Sequence, residues 1–382
     1  MSEQNRILIF IDWFLPAYKA GGPIISVKNI INQFSEKFFF YIVTSDRDMG
    51  DLNSFDDIDF NNWINFTNKY QIIYLSPSKQ NIKNYIGLIK HVKPNKIYIN
   101  SLFSYRFSIL PIVALRKLEL NSQVILAPRG MLGKGAIANK SYKKLTFIYL
   151  TKYLKVFKNF TWHASTNEEK KEITKYYGDK VDIKVAQNIP LYNKKISPKR
   201  SKIKNDKLSL LFVSRISVKK NLYFLIDTLS KSKYKNNIEL NIVGPIEDQS
   251  YFKKCKNLYN KEKLNVNFHG SIPHDKMIDY FNNTDIFVLP THHENYGHVI
   301  IEALFYGMPV LISKNTPWRN LEELGVGYDE ELDSEKFALR IDYFYRISNK
   351  EFNEISKNAI SFATNIVNNK KVINDNLNLF LG

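Results

Sequence analysis

The 382-residue chain reads as an α/β protein built from two Rossmann-like domains of similar size, with parallel sheets facing a cleft between them. Short apolar runs alternate with helical patterns, as expected of strands covered on both faces by crossover helices. The alternation occurs twice. Between the two series lies Asn188 to Lys207, with Pro190, Pro198 and seven lysine or arginine residues between Lys194 and Lys207, the composition of a solvated linker. The expected division is residues 1–190, a basic linker over 191–206, a second domain over 207–350, and helices over 351–382 that pack back toward the first domain.

The first series of strands is expected at Ile7–Ile11, Phe38–Val43, Ile72–Leu75, Ile97–Ile99, Val124–Leu126 and Phe160–His163. The second is expected at Leu208–Val213, Ile238–Val243, Val266–His269, Ile286–Leu289 and Val310–Ile312. After Gly327 the pattern is mostly helical.

Composition narrows the function. Hydrophobic residues make up 44%, enough for real cores, and no run of about 18 apolar residues suggests a spanning helix. The N-terminus runs into the first strand without a signal-peptide layout. Cys255 is the single cysteine, so no internal disulfide or cysteine metal cluster can form, and a reducing cytoplasm is the expected compartment. The formal net charge of +18 points to phosphorylated substrates, an anionic membrane surface or nucleic acid. No helix-turn-helix, zinc-finger or aromatic RNA-binding pattern is present, so nucleic acid ranks last and is not expected as a partner.

In open α/β sheets ligands bind at the carboxyl ends of the strands, and the chemistry-bearing residues cluster there. Glu294 falls in the loop after the run Ile286–Leu289, and Glu302 about two turns later on the helix expected to end at Gly307. Carboxylates accept paired hydroxyls, as sugars and riboses offer them. Arg215 and Lys220 follow the first strand of the second domain. A guanidinium fork and a mobile ammonium suit a diphosphate.

Gly21 and Gly22 form a turn before a helix over Ile24–Phe34, whose N-terminal end favours phosphate. Arg129 and Lys134 follow the strand Val124–Leu126, and His163 closes the strand Phe160–His163. These three are acceptor-side candidates. Thr166 caps the helix that follows. His292, His293 and His298 surround Glu294, but adjacent histidines point apart in extended chain and no Asp-x-Asp motif is present, so no metal site is expected. Lys140 to Phe160 is basic and aromatic. Read as one helix it has Lys144, Thr151, Lys155 and Lys158 on one face and Leu150, Leu154 and Phe157 on another, a surface helix or a patch for an anionic leaflet.

With these residues in view, the chain resembles the retaining glycosyltransferases of family four, the group 1 enzymes of bacterial surface polysaccharide synthesis, which have the GT-B fold. The resemblance rests on Glu294 and Glu302 in Glu-Asn-Tyr-Gly-His-Val-Ile-Ile-Glu-Ala-Leu, on Ser214-Arg215 and Lys220, on Val243-Gly244-Pro245, on His269-Gly270-Ser271-Ile272-Pro273 and on Ala20-Gly21-Gly22-Pro23.

It implies a donor site in which Arg215 and Lys220 hold the diphosphate and Glu302 the ribose. Glu294 contacts the transferred sugar, and Gly244 and the backbone of Asn295, Tyr296, Gly297 and His298 complete the cradle. Glu294, Arg215 and Lys220 are the implied catalytic residues, and Gly21 and Gly22 the implied diphosphate and acceptor loop. In relatives a first-domain histidine stands near the reaction centre; here Arg129 takes that part of the sequence.

The implied activity is metal-independent transfer of a hexosyl or N-acetylhexosaminyl group from a nucleotide-diphosphate-sugar, a co-substrate and not a cofactor. The implied acceptor is a lipid-linked glycan in capsule, O-antigen or exopolysaccharide synthesis. The cytoplasm, or its membrane face, is the implied location. Two alternatives stand beside it. A sugar-nucleotide epimerase or glycan phosphorylase on the same fold would give a sugar isomer or sugar phosphate with no glycoside product. A basic nucleic-acid-binding protein would bind with steep salt dependence.

Overall fold

The computed structural model describes residues 5–67, 69–118, 122–138, 141–190 and 206–381. It divides into two units, Met1–Leu191 with Lys370–Gly382, and Tyr192–Asn369. Most of the expected basic linker, residues 191–205, lies outside the described residues.

The first unit holds an eight-stranded sheet. Its strands are β1 (Asn5–Phe10), β2 (Phe38–Ser45), β3 (Trp63–Thr67), β4 (Tyr70–Leu75), β5 (Lys96–Ile99), β6 (Gln123–Leu126), β7 (Phe160–Ala164) and β8 (Asp182–Val185). Their spatial order is β3-β4-β2-β1-β5-β6-β7-β8. Only β3 runs antiparallel to its neighbour. Successive residues of β1 feed opposite faces, as the pleat requires. Leu8 and Phe10 join a core with Tyr85, Ile89 and Trp162, while Ile7 and Ile9 join another with Val27, Ile31 and Phe34 of the helix Gly22–Phe34.

The second unit holds a six-stranded parallel sheet: β9 (Leu208–Val213), β10 (Ile238–Val243), β11 (Asn265–Phe268), β12 (Ile286–Leu289), β13 (Val310–Ser313) and β14 (Gly327–Glu330). The order β11-β10-β9-β12-β13-β14 is the doubly wound 3-2-1-4-5-6 arrangement, whose strand order reverses between β9 and β12. β12 is buried at all four positions, and its Phe287 lies in register with Leu211 of β9 and Val310 of β13.

The C-terminal segment is shared out. The helix Asn349–Val367, opened by a capping box of Ser348 and Glu351, buries Phe352, Ala359 and Ala363 in the core of the second unit. The helix Lys370–Leu381 belongs to the first unit. Its Phe380 lies against Phe34, Phe38, Phe40 and Tyr98, with ring centroids 5.8–6.4 Å away.

The basic aromatic stretch differs from the single helix expected over Lys140–Phe160. The helix runs only over Ser141–Tyr153 and gives way to turns, with Lys155 at φ 51°. Thr151, expected on the face of Lys144, Lys155 and Lys158, is buried, and so is Phe157. Leu150 and Leu154 are exposed. Thr151 faces inward because its hydroxyl bonds to Phe147 O and lies 3.1 Å from Tyr177 Oη.

Candidate active site

The loops leaving β9 and β12 meet at the strand-order reversal of the second unit. After β9, residues Val218–Lys220 make a short 3-10 turn, and Asn221 adopts φ 60° before the helix Leu222–Lys231 begins. Lys219 O in that turn accepts from His292 N at 2.8 Å and from Thr291 Oγ1 at 3.0 Å. Thr291 O in turn accepts from Ser313 Oγ, at the last residue of β13, at 2.5 Å, and Glu294 N donates to Asn315 O at 2.9 Å. Three strand ends are thereby tied into one platform.

On it, Lys220 Nζ pairs with Glu294 Oε2, and both side chains are largely withdrawn from water. Burial pushes the Glu294 carboxyl up. The charge and hydrogen bond of Lys220, the nearby Lys219 and the Asn295 N–H outweigh it and hold the group below the usual carboxylate range. Lys219 is pushed down to about 8 by burial and by the like charges of Lys220 and Arg215. Its role did not emerge from the sequence, where only the spacing of Arg215 and Lys220 was weighed. The doubled lysine was the available signal.

Arg215 is over a third exposed and pairs with Glu247 at 3.1 Å. Three cations, Arg215, Lys219 and Lys220, and two carboxylates, Glu247 and Glu294, therefore gather at the reversal point, leaving a net positive charge for a negatively charged ligand.

Glu302 is buried on the helix His298–Phe305. Its Oε1 lies 3.0 Å from Nε2 of His274, which stands just beyond Pro273. Nothing in the sequence linked these two, since they lie 28 positions apart, His274 in a short 3-10 turn and Glu302 on a helix.

Gly297, at φ 79°, opens this helix. A Cβ there would come within 2.7 Å of Ile300 Cδ1 and 3.1 Å of Glu294 Cγ, so glycine lets the Glu294 loop close on the helix. Tyr296 has its side chain in the core, edge-on to Trp318, whose Nε1 donates to Tyr296 O at 2.6 Å. His298 packs on the Tyr296 ring and is buried. Asn295 N contacts Glu294 Oε1 at 3.1 Å. Gly244, at φ 144°, serves the backbone: a Cβ would sit 1.9 Å from Ser214 O, so the loops after β9 and β10 approach closely only because it is glycine.

In the first unit Gly21 has φ 67° and ends the turn before Gly22 and Pro23. Asp48 Oδ2 accepts from the backbone of Tyr18 at 2.9 Å and Lys19 at 3.2 Å, which fixes this turn.

Arg129 and His163 belong to one hydrogen-bonded group within the first unit, joined through Tyr98. The Arg129 guanidinium donates to Asn100 at 2.7 Å, Asn188 at 2.5 Å and Tyr98 Oη at 2.6 Å. Tyr98 Oη donates to Nδ1 of the fully buried His163, and Nε2 donates to Ala186 O. Burial, reinforced by Arg129, pushes His163 down to about 3, so the ring is neutral and structural. The side chain of Lys134 lies outside the described residues. Thr166 caps its helix through Glu169 N, as expected. Among the described residues no three histidine, cysteine, aspartate or glutamate side chains converge as metal ligands.

Residues 193–362 match the family of glycosyl transferases group 1. The capsular polysaccharide biosynthesis glycosyltransferase CapM of Staphylococcus aureus is 31% identical over 133 residues, 34% of this chain and 34% of CapM. CapH of the same organism is 24% identical over 230 residues, 56% of this chain and 64% of CapH. The match thus spans about a third of CapM and under two thirds of CapH. Among solved structures, the sucrose-phosphate synthase of Thermosynechococcus elongatus superposes with a TM-score of 0.74 at 15% identity, over 99% of this chain and 98% of the other. HepE of Anabaena, solved with UDP and glucose, gives 0.72 at 15% identity over 99% and 98%. The structural likeness is one of fold, and the fold class is GT-B.

Proposed function

We propose that this chain, whose second unit carries the group 1 glycosyl transferase domain, transfers a hexosyl or N-acetylhexosaminyl group from a nucleotide-diphosphate-sugar to a glycan acceptor. The acceptor we favour is lipid-linked, in capsule, O-antigen or exopolysaccharide assembly. One observation carries the reading: Arg215, Lys219 and Lys220 stand with Glu294 where the sheet order reverses between β9 and β12. The likeness to CapM and CapH supports the setting.

The chemistry follows from charge. Breaking the anomeric C–O bond leaves positive charge on the sugar ring and negative charge on the departing diphosphate. Preorganised donors aimed at such charge are each worth about 3–4 kcal/mol, or ~10²–10³ in rate. The three cations neutralise the diphosphate, which makes a metal unnecessary in this scheme. On donor binding Lys220 shifts from Glu294 to phosphate, and the freed carboxylate accepts sugar hydroxyls. Glu302, oriented by His274, accepts the ribose diol. The backbone from Asn295 to His298 lines the cradle.

Arg215 gives the cleanest test, because it is over a third exposed and its loss leaves no buried charge. Arg215→Ala is expected to cut turnover at least tenfold with an unchanged melting temperature. Wild-type turnover would remove the diphosphate assignment. Product analysis closes the alternative: a sugar isomer or sugar phosphate in place of a glycoside would make the chain an epimerase or phosphorylase. The anomeric configuration of the first product, read by proton NMR, tests retention.

A further inference from the structure

Glu302 is a carboxylate withdrawn from water with few donors of its own. Its side chain is 8% exposed, and among the described residues a single side chain bonds to it: His274, whose Nε2 lies 3.0 Å from Oε1. A carboxylate offers about four lone-pair positions, and a buried polar group destabilises the fold wherever its hydrogen bonds go unmade. One donor leaves most of that capacity open. His274 is 43% exposed, so the pair borders solvent on the imidazole side, where a ligand carrying hydroxyl donors can complete it.

The imidazole is held from its backbone at both ends. Before it, the loop after β11 is tied to the loop after β10: His269 N donates to Ile242 O at 2.9 Å, and Gly244 N donates to Gly270 O at 2.7 Å. Pro273, at φ −58°, leads into the 3-10 turn His274–Lys276, whose Lys276 N donates to Pro273 O at 3.0 Å. After it, Met277 and Phe281 of the helix Met277–Asn282 are buried in the core of the second unit. Nothing intrinsic fixes the plane of a glutamate carboxylate, because its last torsion is broad. A carboxylate only accepts, so Nε2 carries the hydrogen, and an anchored donor sets that plane.

We propose that His274 is a positioning residue for donor selection: its Nε2–H orients Glu302 so that the remaining lone pairs meet the 2′- and 3′-hydroxyls of a ribose together, and the site thereby selects ribonucleoside over 2′-deoxyribonucleoside diphosphates. This role rests on the donor reading above, in which Glu302 takes the ribose diol. A 2′-deoxy ligand leaves one bond to a buried charged group unmade and loses affinity for that reason. Without His274 the carboxylate turns to suit whichever hydroxyl is present, and the difference between the two ligands shrinks.

Calorimetric titration of the full chain with the ribo and 2′-deoxy forms of UDP, GDP, ADP and CDP gives the ratio of dissociation constants within each pair. The wild-type protein is expected to favour the ribonucleotide of the base it accepts by about tenfold, the size of one hydrogen bond to a charged group. His274→Ala should reduce that preference to about threefold or less, and His274→Gln, which returns an N–H at similar reach, should restore it. The ratio separates positioning from mere support, because a loosened loop weakens both members of a pair alike. A wild-type ratio kept in His274→Ala overturns the proposal and leaves the donor reading intact. So does a ratio lost equally in the alanine and glutamine variants, or a wild-type protein that does not favour the ribonucleotide. If none of the nucleotides binds wild-type protein, the donor reading and this proposal fall together.

Discussion

Lys219 is the residue whose environment most exceeds what its neighbours in sequence announce. Its folded value, near 8 against an ordinary 10.5, means that folding releases its proton between those two values. The contribution of this group to stability rises as pH climbs through that window, because the unfolded chain binds the extra proton there. A bound diphosphate reverses the balance by favouring the charged form. Nucleotide-diphosphate affinity should therefore fall as pH passes about 8, and calorimetry on Lys219→Ala should give a flatter profile.

Glu294 behaves oppositely. Its depressed carboxyl contributes stability above the ordinary value of 4.5, and that contribution disappears as pH drops through the folded value. Lys220→Met leaves the buried carboxylate without its main cation and should cost ~3 kcal/mol at neutral pH. The cost should be smaller at pH 5 than at pH 7, because without Lys220 burial favours the protonated form of the carboxyl. Denaturation at the two pH values measures the difference, and an equal cost would mean that the pair does not stabilise the fold.

The sequence announced Arg215, Lys220, Glu294 and Glu302, because charged types in loops after apolar runs are conspicuous. It gave no sign that Arg129 and His163 bond to Tyr98, Asn100, Asn188 and Ala186, because a strand-end position does not say which partners a side chain's nitrogens find. It could not pair His274 with Glu302, which a loop far along the chain brings together.

Strands that lie inside a sheet were readable from their apolar runs. The three that were not, β3, β8 and β14, each have a single neighbour. An edge strand is half solvated and can carry polar residues, as β8 does at Asp182 and Lys184 and β14 at Asp329 and Glu330, which hides those two from an apolar-run reading, whereas the edge strand β11 was readable. Helix limits were harder still. The break after Tyr153 comes from buried packing of Thr151 and Phe157, which periodicity does not reveal. The helix Lys370–Leu381 is the element most open to direct test. Phe380 is 1% exposed among four aromatic rings. Phe380→Ala should cost about 3–5 kcal/mol, read as a lowered midpoint in chemical denaturation of the first unit. A shift under about 1 kcal/mol would mean the helix is not part of that core.

The two units keep separate interiors: the apolar residues clustered in Tyr192–Asn369 include none from the remainder of the chain. A fragment over residues 206–369 should accordingly unfold cooperatively alone. If the cation cluster binds the donor, UDP, GDP or another nucleoside diphosphate should raise its melting temperature. A folded fragment blind to every nucleotide would move the donor site elsewhere. The double alternation of strands and helices made this two-part plan evident from sequence. The helices expected over 351–382 to pack back toward the first domain divide instead, Lys370–Leu381 joining the first unit and Asn349–Val367 the second, since amphipathic helices do not name the surface they cover.

That return has a consequence for biosynthesis. Val372, Leu379 and Phe380 complete a core begun by Ile7 and Ile9, so the part of the protein made first is finished last. At ~5–20 residues per second, roughly 10–35 s of translation separates Leu191 from Lys370. Through that interval the nascent first unit must leave the aromatic seat of Phe380 open, while the unit translated after it can already have closed.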